Sequence, residues 1–474
     1  MPTAQPRPTS RATRPARGST AYRCAECGWQ TTKWVGRCGE CQAWGSVAEV
    51  GVSAPRTTAA AVVERPAVPI VEVDAQHAAA RATGVGEFDR VLGGGLVPGA
   101  VVLLAGEPGI GKSTLLLDVA ARAARGGAPG EERTVLYVTG EESAPQVRAR
   151  AERIEALATR LYLASETDLA VVLGQIAALR PSLVVVDSVQ TIASDEVDGA
   201  AGNVTQVREV AMSLIAAAKS TGASVLLVGH VTKDGSIAGP RTLEHLVDVV
   251  LAFEGDRHSR LRLVRAVKNR FGPTDEVGCF DLSDVGITGL VDPSALFLST
   301  RTSEVAGTCV TVTLEGRRPL VTEVQALVAA SQLPQPRRAT SGLDSARVNM
   351  ILAVLDKRAG APIAGRDAYV ATVGGVRLTE PAADLAVALA LASSMTDRAM
   401  PTGTVAFGEV GLAGEVRPAT GAVRRLAEAA RLGFTRAVVP VGTLGSGPIP
   451  DGLTVVEVSS VLEAVTVGLR PTAR

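Results

Sequence analysis

Nine residues constrain this chain more than any others: Gly106-Glu-Pro-Gly-Ile-Gly111-Lys112-Ser113-Thr114 fits G-x-x-x-x-G-K-[ST]. In that pattern backbone N–H groups wrap a nucleotide's phosphates. The apolar run Val101–Ala105 precedes it and STLLLDVAARAA follows, so the loop joins a predicted strand to a predicted helix, which is the context the pattern requires. Gly106, Gly109 and Gly111 free the backbone, and Glu107, Pro108 and Ile110 complete the loop. Lys112 is expected to reach the β- and γ-phosphate oxygens, and Ser113, followed by Thr114, to hold magnesium. ATP and magnesium are therefore the expected cofactors.

The surrounding pattern agrees. Apolar segments Val101–Ala105, Val135–Thr139, Leu183–Asp187 and Val225–Gly229 alternate with helical stretches Lys112–Arg125 and Val204–Ser220. Such alternation argues for a parallel sheet covered by helices. Leu261–Val267 and Val277–Asp281 read as further strands. Leu183-Val-Val-Val-Asp187 is expected to lie beside the P-loop strand and to present Asp187 to the magnesium. Val135–Thr139 runs into Gly140-Glu141-Glu142-Ser143, placing two carboxylates where ligands gather in open α/β sheets. Glu141 is the preferred group to orient the attacking water, with Glu142 the alternative; both could instead cap the next helix. His230 ends VLLVG and could sense the γ-phosphate or be structural.

Four of the six cysteines, Cys24, Cys27, Cys38 and Cys41, form C-x2-C-x10-C-x2-C. Two residues between thiolates allow tight knuckles, and two knuckles complete a tetrahedral zinc site with no open position. Gly28 and Gly39 suit the turns. Disulfides are disfavoured in a chain without a secretory signal. Cys279 and Cys309 fall in predicted strands and read as core.

Lys+Arg and Asp+Glu each number 48, so net charge neither supports nor excludes a nucleic-acid partner and any contact must be local. Residues 1–20 carry four arginines and no acid, which reads as a disordered basic tail. No apolar run is long enough to span a bilayer, and the chain is expected in the cytoplasm with no membrane partner. Segments 21–52, 53–72, 73–293 and 294–474 are expected as zinc module, linker, ATPase domain and a further domain. In the last, Thr308–Leu314, Leu320–Val328, Thr404–Phe407 and Ala437–Pro440 are predicted strands. Ser345–Arg358, Ala382–Ser394 and Ala422–Leu432 are predicted helices, and Ser331–Ser341 an exposed loop.

The knuckle, TGVGEFDRVLGGGLVPGAVVLLAGEPGIGKSTLL, TGEES and Lys268-Asn-Arg-Phe-Gly272 together resemble the RadA (Sms) family of bacterial DNA-repair proteins, over about residues 22–469. The resemblance implies an α/β, RecA-like P-loop core with a small N-terminal zinc module and a C-terminal α+β domain similar to the Lon protease domain. It implies a homo-hexameric ring with ATP between subunits, where Lys268 and Arg270 would reach a neighbour's γ-phosphate; alternate strand residues point the same way. It implies single-stranded and branched DNA as partners, with Lys233 and Arg241 on DNA phosphates, and a RecA-type recombinase as a further partner. The implied activity is a DNA-dependent ATPase driving branch migration. The alternative is an ATP-regulated switch acting through protein partners.

The Lon likeness raises proteolysis, but where Lon carries Gly-Pro-Ser-Ala-Gly this chain reads Glu380-Pro-Ala382-Ala-Asp384, and no lysine follows Lys357. Without nucleophile or base the acyl-transfer chemistry has no agent. The domain is expected to serve assembly, with Arg424 and Arg425 as Arg-rich surface for DNA.

Overall fold

The computed structural model describes residues 21–50, 67–72, 79–126, 132–230, 241–255, 259–296 and 305–469. The basic tail, most of the expected linker, and Lys233 lie outside these. The chain forms two compact units, Met1–Asp74 and Ala75–Arg474.

In the first unit, β1 (Ala21–Cys24) pairs antiparallel with both β2 (Gln30–Thr31) and β3 (Val47–Val50). Cys24, Cys38 and Val47 make its core, with Tyr22, Trp29 and Val35 packed on it. So small a core needs a staple such as a structural metal.

The second unit carries two large sheets. The strands of the first are β4 (Val101–Gly106), β5 (Val135–Thr139), β6 (Leu161–Ser165), β7 (Leu183–Asp187), β8 (Ser224–His230), β9 (Val249–Glu254), β10 (Leu261–Asn269), β11 (Val277–Ser283) and β12 (Gly286–Gly289). Their order is β12-β11-β10-β9-β4-β8-β7-β5-β6. From β9 to β6 the pairing is parallel, and β10–β12 extend it antiparallel.

Period-two alternation sorts the faces. Val102 and Leu104 join α1 (Gly86–Leu92) and α2 (Lys112–Arg125) in one apolar layer. Val101 and Leu103 join α4 (Leu169–Leu179) and α5 (Val204–Thr221) in the other. Also in this domain, α3 (Ala144–Arg153) follows β5, and α6 (Arg241–Leu246) precedes β9. Helix α2 is buried from Leu115 to Ala121, so truncating one of its leucines to alanine is expected to cost about 2–5 kcal/mol.

The sequence places Leu183–Asp187 beside the P-loop strand; the structure inserts β8 between them. Every crossover here is a parallel connection, and strand order in sequence does not dictate order in space.

The second sheet runs β15-β16-β14-β13-β17-β20-β21, from β13 (Thr308–Glu315), β14 (Arg318–Ala330), β15 (Arg338–Ser341), β16 (Arg366–Thr372), β17 (Thr404–Ala406), β20 (Arg436–Pro440) and β21 (Thr454–Val458). A ribbon of β18 (Glu409–Val410) and β19 (Val416–Arg417) adjoins it. Helices α7 (Ser345–Arg358), α8 (Asp384–Thr396) and α10 (Val461–Gly468) pack in one core, and α9 (Ala422–Arg431) in another. Part of the loop expected at Ser331–Ser341 is instead the edge strand β15, which pairs with β16. Cys279 and Cys309 are buried in one shared core, as expected. At the junction of the two sheets, buried Arg318 pairs with Glu87 and donates to the carbonyls of Leu290 and Val291.

Candidate functional site

The P-loop leaves β4 at its C-terminal end and enters α2 at Gly111, whose φ of 107° favours glycine. Lys112 is 4% exposed, and its Nζ donates to the carbonyls of Gly106 (2.8 Å) and Glu107 (2.7 Å). Burial pushes the Lys112 ammonium down to about 8, against the opposing charges of Asp187, Glu141 and Glu107. Its direct hydrogen-bond partners are neutral, so a bound anion could take their place at the ammonium.

Three other strand ends converge there. His230 closes β8 with Nδ1 3.3 Å from Lys112 Nζ and Nε2 3.1 Å from Glu141 Oε1. The tautomer accepting at Nδ1 and donating from Nε2 satisfies both neighbours. Ser188, just past β7, donates its hydroxyl to Glu141 Oε1 at 2.7 Å. Burial would raise the Glu141 carboxyl, but these bonds, with the positive charge of Lys112 nearby, hold it below its ordinary range. Asp187 is 6% exposed and accepts a 2.6 Å bond from the Tyr137 hydroxyl. That leaves its second carboxylate oxygen for a cation, and Ser113 stands at the first turn of α2, so the pair fits magnesium. Glu142 instead pairs with Arg150, and Ser143 with Gln146 caps α3, so Glu141 alone of the two faces the P-loop. Gly140 precedes them because a Cβ there would lie 2.1 Å from Thr191 Oγ1.

The second candidate pair lies at the other end of the sheet. Lys268 Nζ donates to the carbonyls of Glu244 (2.8 Å) and Val247 (2.7 Å), where α6 ends, a favourable place for a cation. Arg270, half exposed, pairs with Asp248 at 3.1 Å. Strict alternation does not bring them together: the β9–β10 register shifts between Ala266 and Lys268, and β10 ends at Asn269. Both cations nonetheless meet the one segment Glu244–Asp248. Arg241 opens α6.

In the zinc module, the Sγ atoms of Cys24, Cys27, Cys38 and Cys41 all lie within 4.8 Å of one another. Cys24–Cys41 is 3.7 Å and Cys27–Cys38 3.5 Å, too far for disulfides and close to the roughly 3.8 Å between ligands of a tetrahedral Zn–S4 site. The donor set fits zinc. Gly28 has φ 78° as the turn requires, but the matching position of the second knuckle is Gln42 at 63°. Gly39 is constrained otherwise: a Cβ there would lie 3.0 Å from the Trp29 ring.

At the position that the Lon likeness sets against the protease nucleophile, Ala382 is buried at the entry to α8. Glu380 holds Arg425 through two 2.7 Å bonds, and Asp384 holds Arg347 through two of 2.6 Å. Arg425 is 0% exposed and lies over the Phe407 ring. It is not the surface arginine the sequence suggested; Arg424 is exposed.

Three family models match parts of the chain: AAA domain over residues 69–236, rubredoxin metal binding domain over 22–49, and subunit ChlI of Mg-chelatase over 374–443. DNA repair protein RadA of Mycobacterium tuberculosis (strain H37Rv) is 56% identical over 95% of this chain and 93% of its own. That of Mycolicibacterium smegmatis is 57% identical over 94% and 96%, and that of Bacillus subtilis 43% over 96% and 99%. The chain belongs to the RadA family of DNA repair proteins.

As a RadA-family member it carries an α/β P-loop ATPase domain, an N-terminal zinc ribbon and a C-terminal ChlI- and Lon-like domain, and no described helix is long and apolar enough to cross a membrane. Sequence reasoning missed several residues that build this RadA-family site. Ser188 and Tyr137 fix the two acids, yet each is one polar residue in or after an apolar strand. Arg262 in β10 donates from Nε to the Ile110 carbonyl at 3.0 Å, bracing the P-loop; a cation within an apolar strand was its signal. Asn269 bonds the last carbonyls of α1, Val91 and Leu92, both at 3.3 Å.

Proposed function

We propose that the chain hydrolyses ATP in response to single-stranded DNA, as a homo-hexameric ring with nucleotides between subunits, and drives branch migration in recombinational repair. The observation that carries this reading is the distance of Lys268 and Arg270 from their own P-loop. Gly106 pairs with Phe253 at one end of β9, whereas Lys268 and Asn269 pair with Val250 and Val249 at the other. Arg270 is thus about 16 Å along the strand from its own phosphate loop. That separation keeps them from their own subunit's phosphates and supports a role at a neighbour's nucleotide in a head-to-tail ring.

In this reading Lys112 swings from its loop carbonyls to the β/γ oxygens. Magnesium, held by Ser113 and Asp187, would supply charge neutralisation. Glu141, kept ionised by Ser188 and His230, orients the water and takes its proton, and His230 reads the γ-phosphate. Lys268 and Arg270 leave their resting partners to stabilise the charge that develops across the interface. Lys233 and Arg241 contact DNA phosphates. The C-terminal domain assembles the ring and does not cut peptides, because Ala382 offers no nucleophile.

Steady-state ATP hydrolysis with and without single-stranded DNA, with Lys112→Ala as the blank, tests this together with branch migration on a synthetic junction. Stimulated turnover and junction movement, both lost in the blank, are expected. Turnover indifferent to DNA would instead favour a switch that acts through protein partners such as a recombinase.

A further inference from the structure

All three tryptophans of the chain, Trp29, Trp34 and Trp44, lie in the four-cysteine module. Trp29 packs on its core. The other two face water: Trp34 is 65% exposed and Trp44 78%. Folding does not explain two solvated indoles in a module so short of apolar core.

Their setting is specific. Gly45 N donates to the Gly36 carbonyl at 2.9 Å. Trp44 immediately precedes Gly45, and the Trp34 ring lies 3.7 Å from where a Cβ on Gly36 would sit. The Trp34 ring thus lies against one member of a hydrogen-bonded backbone pair, and Trp44 is the chain neighbour of the other. The Arg37 guanidinium lies 5.6 Å from the centroid of the Trp44 ring. It is pinned there by bonds from Nε to the Gln42 carbonyl (2.9 Å) and from Nη2 to Gln42 Oε1 (2.6 Å). Lys33 adjoins Trp34, and the run Thr31–Cys38 contains no acid.

Among the module's described residues no other large apolar side chain is exposed. Flat rings, one with a guanidinium against it and the other preceded in the chain by a lysine, and no aliphatic groove around them, suit unstacked bases and their phosphates better than an apolar protein surface. We propose that Trp34 and Trp44 are stacking platforms for bases of single-stranded DNA, with Lys33 and Arg37 on its phosphates.

Because no tryptophan lies elsewhere, indole emission of the full-length, zinc-loaded protein reports on this module alone. The experiment titrates an unlabelled thymidine oligonucleotide without ATP, so its outcome does not depend on turnover. Emission typical of water-exposed indole, quenched saturably by the oligonucleotide and less by duplex, is expected. Trp34→Ala and Trp44→Ala should each weaken binding, read from the remaining indoles, roughly five- to hundredfold. Zinc content should be unchanged, and Trp44→Tyr should retain most of the affinity. Binding seen by anisotropy of a labelled oligonucleotide but with unchanged emission would overturn the proposal. So would blue-shifted emission of the free protein, which would mean that a protein surface covers the rings.

Discussion

Helices α2 and α8 are both buried along most of their length, and each begins at a cluster of charged residues, yet the clusters differ in kind. At α2, Lys112 meets two neutral carbonyls and an imidazole, and Glu141 is nearly half exposed. At α8, Glu380 and Asp384 each hold an arginine through two bonds, and they also accept the backbone N–H of Leu314 and of Val410. The first cluster leaves charge poorly matched, so a ligand can change its balance. The second is matched within itself and has become part of the core. Charged residues at a helix start thus mark a reactive site only where their partners are incomplete.

The largest expected effect that would break this contrast is at α8. Glu380→Ala leaves the Arg425 guanidinium buried and unpaired, and should destabilise the chain by about 3–5 kcal/mol in thermal or urea unfolding. ATP turnover per folded molecule should be unchanged. A loss below about 1 kcal/mol would make the pair no better than a surface bridge.

At α2 the expected effect is smaller and falls on chemistry. Ser188→Ala removes a hydrogen bond that lowers the Glu141 carboxyl, so turnover should fall roughly two- to tenfold. The sign follows from the bond: without it Glu141 protonates at higher pH, and the acid limb of the rate profile should move up. A fall in turnover with an unmoved acid limb would reduce Ser188 to a purely structural role.

How much of this was legible varied with how local the chemistry is. The P-loop, the acid closing β7 and the carboxylates after β5 could be read because each needs neighbouring residues in one pattern. The insertion of β8 between β4 and β7 could not, since sheet order is a long-range property. Arg425 was legible in principle: with Ala422, Leu426 and Ala429 it falls on the buried face of α9, and helical spacing predicts that. The basic pattern RR was read as surface because lone arginines are seldom buried. Edge strand β15 is short and polar, with no alternation to betray it.

The central claim is that Lys268 and Arg270 act on a neighbour's nucleotide, and mixing two inactive variants tests it most directly. Lys112→Ala lacks a working P-loop, and Arg270→Ala lacks the trans cation; the latter should lose roughly a thousandfold in turnover while still binding ATP. In mixed assemblies an Arg270→Ala subunit offers an intact P-loop beside a Lys112→Ala neighbour that supplies Arg270. Turnover restored on mixing is the predicted result. A mixture as inactive as its parts, with mixed assembly verified by pull-down of a tagged variant, would contradict the trans-acting role.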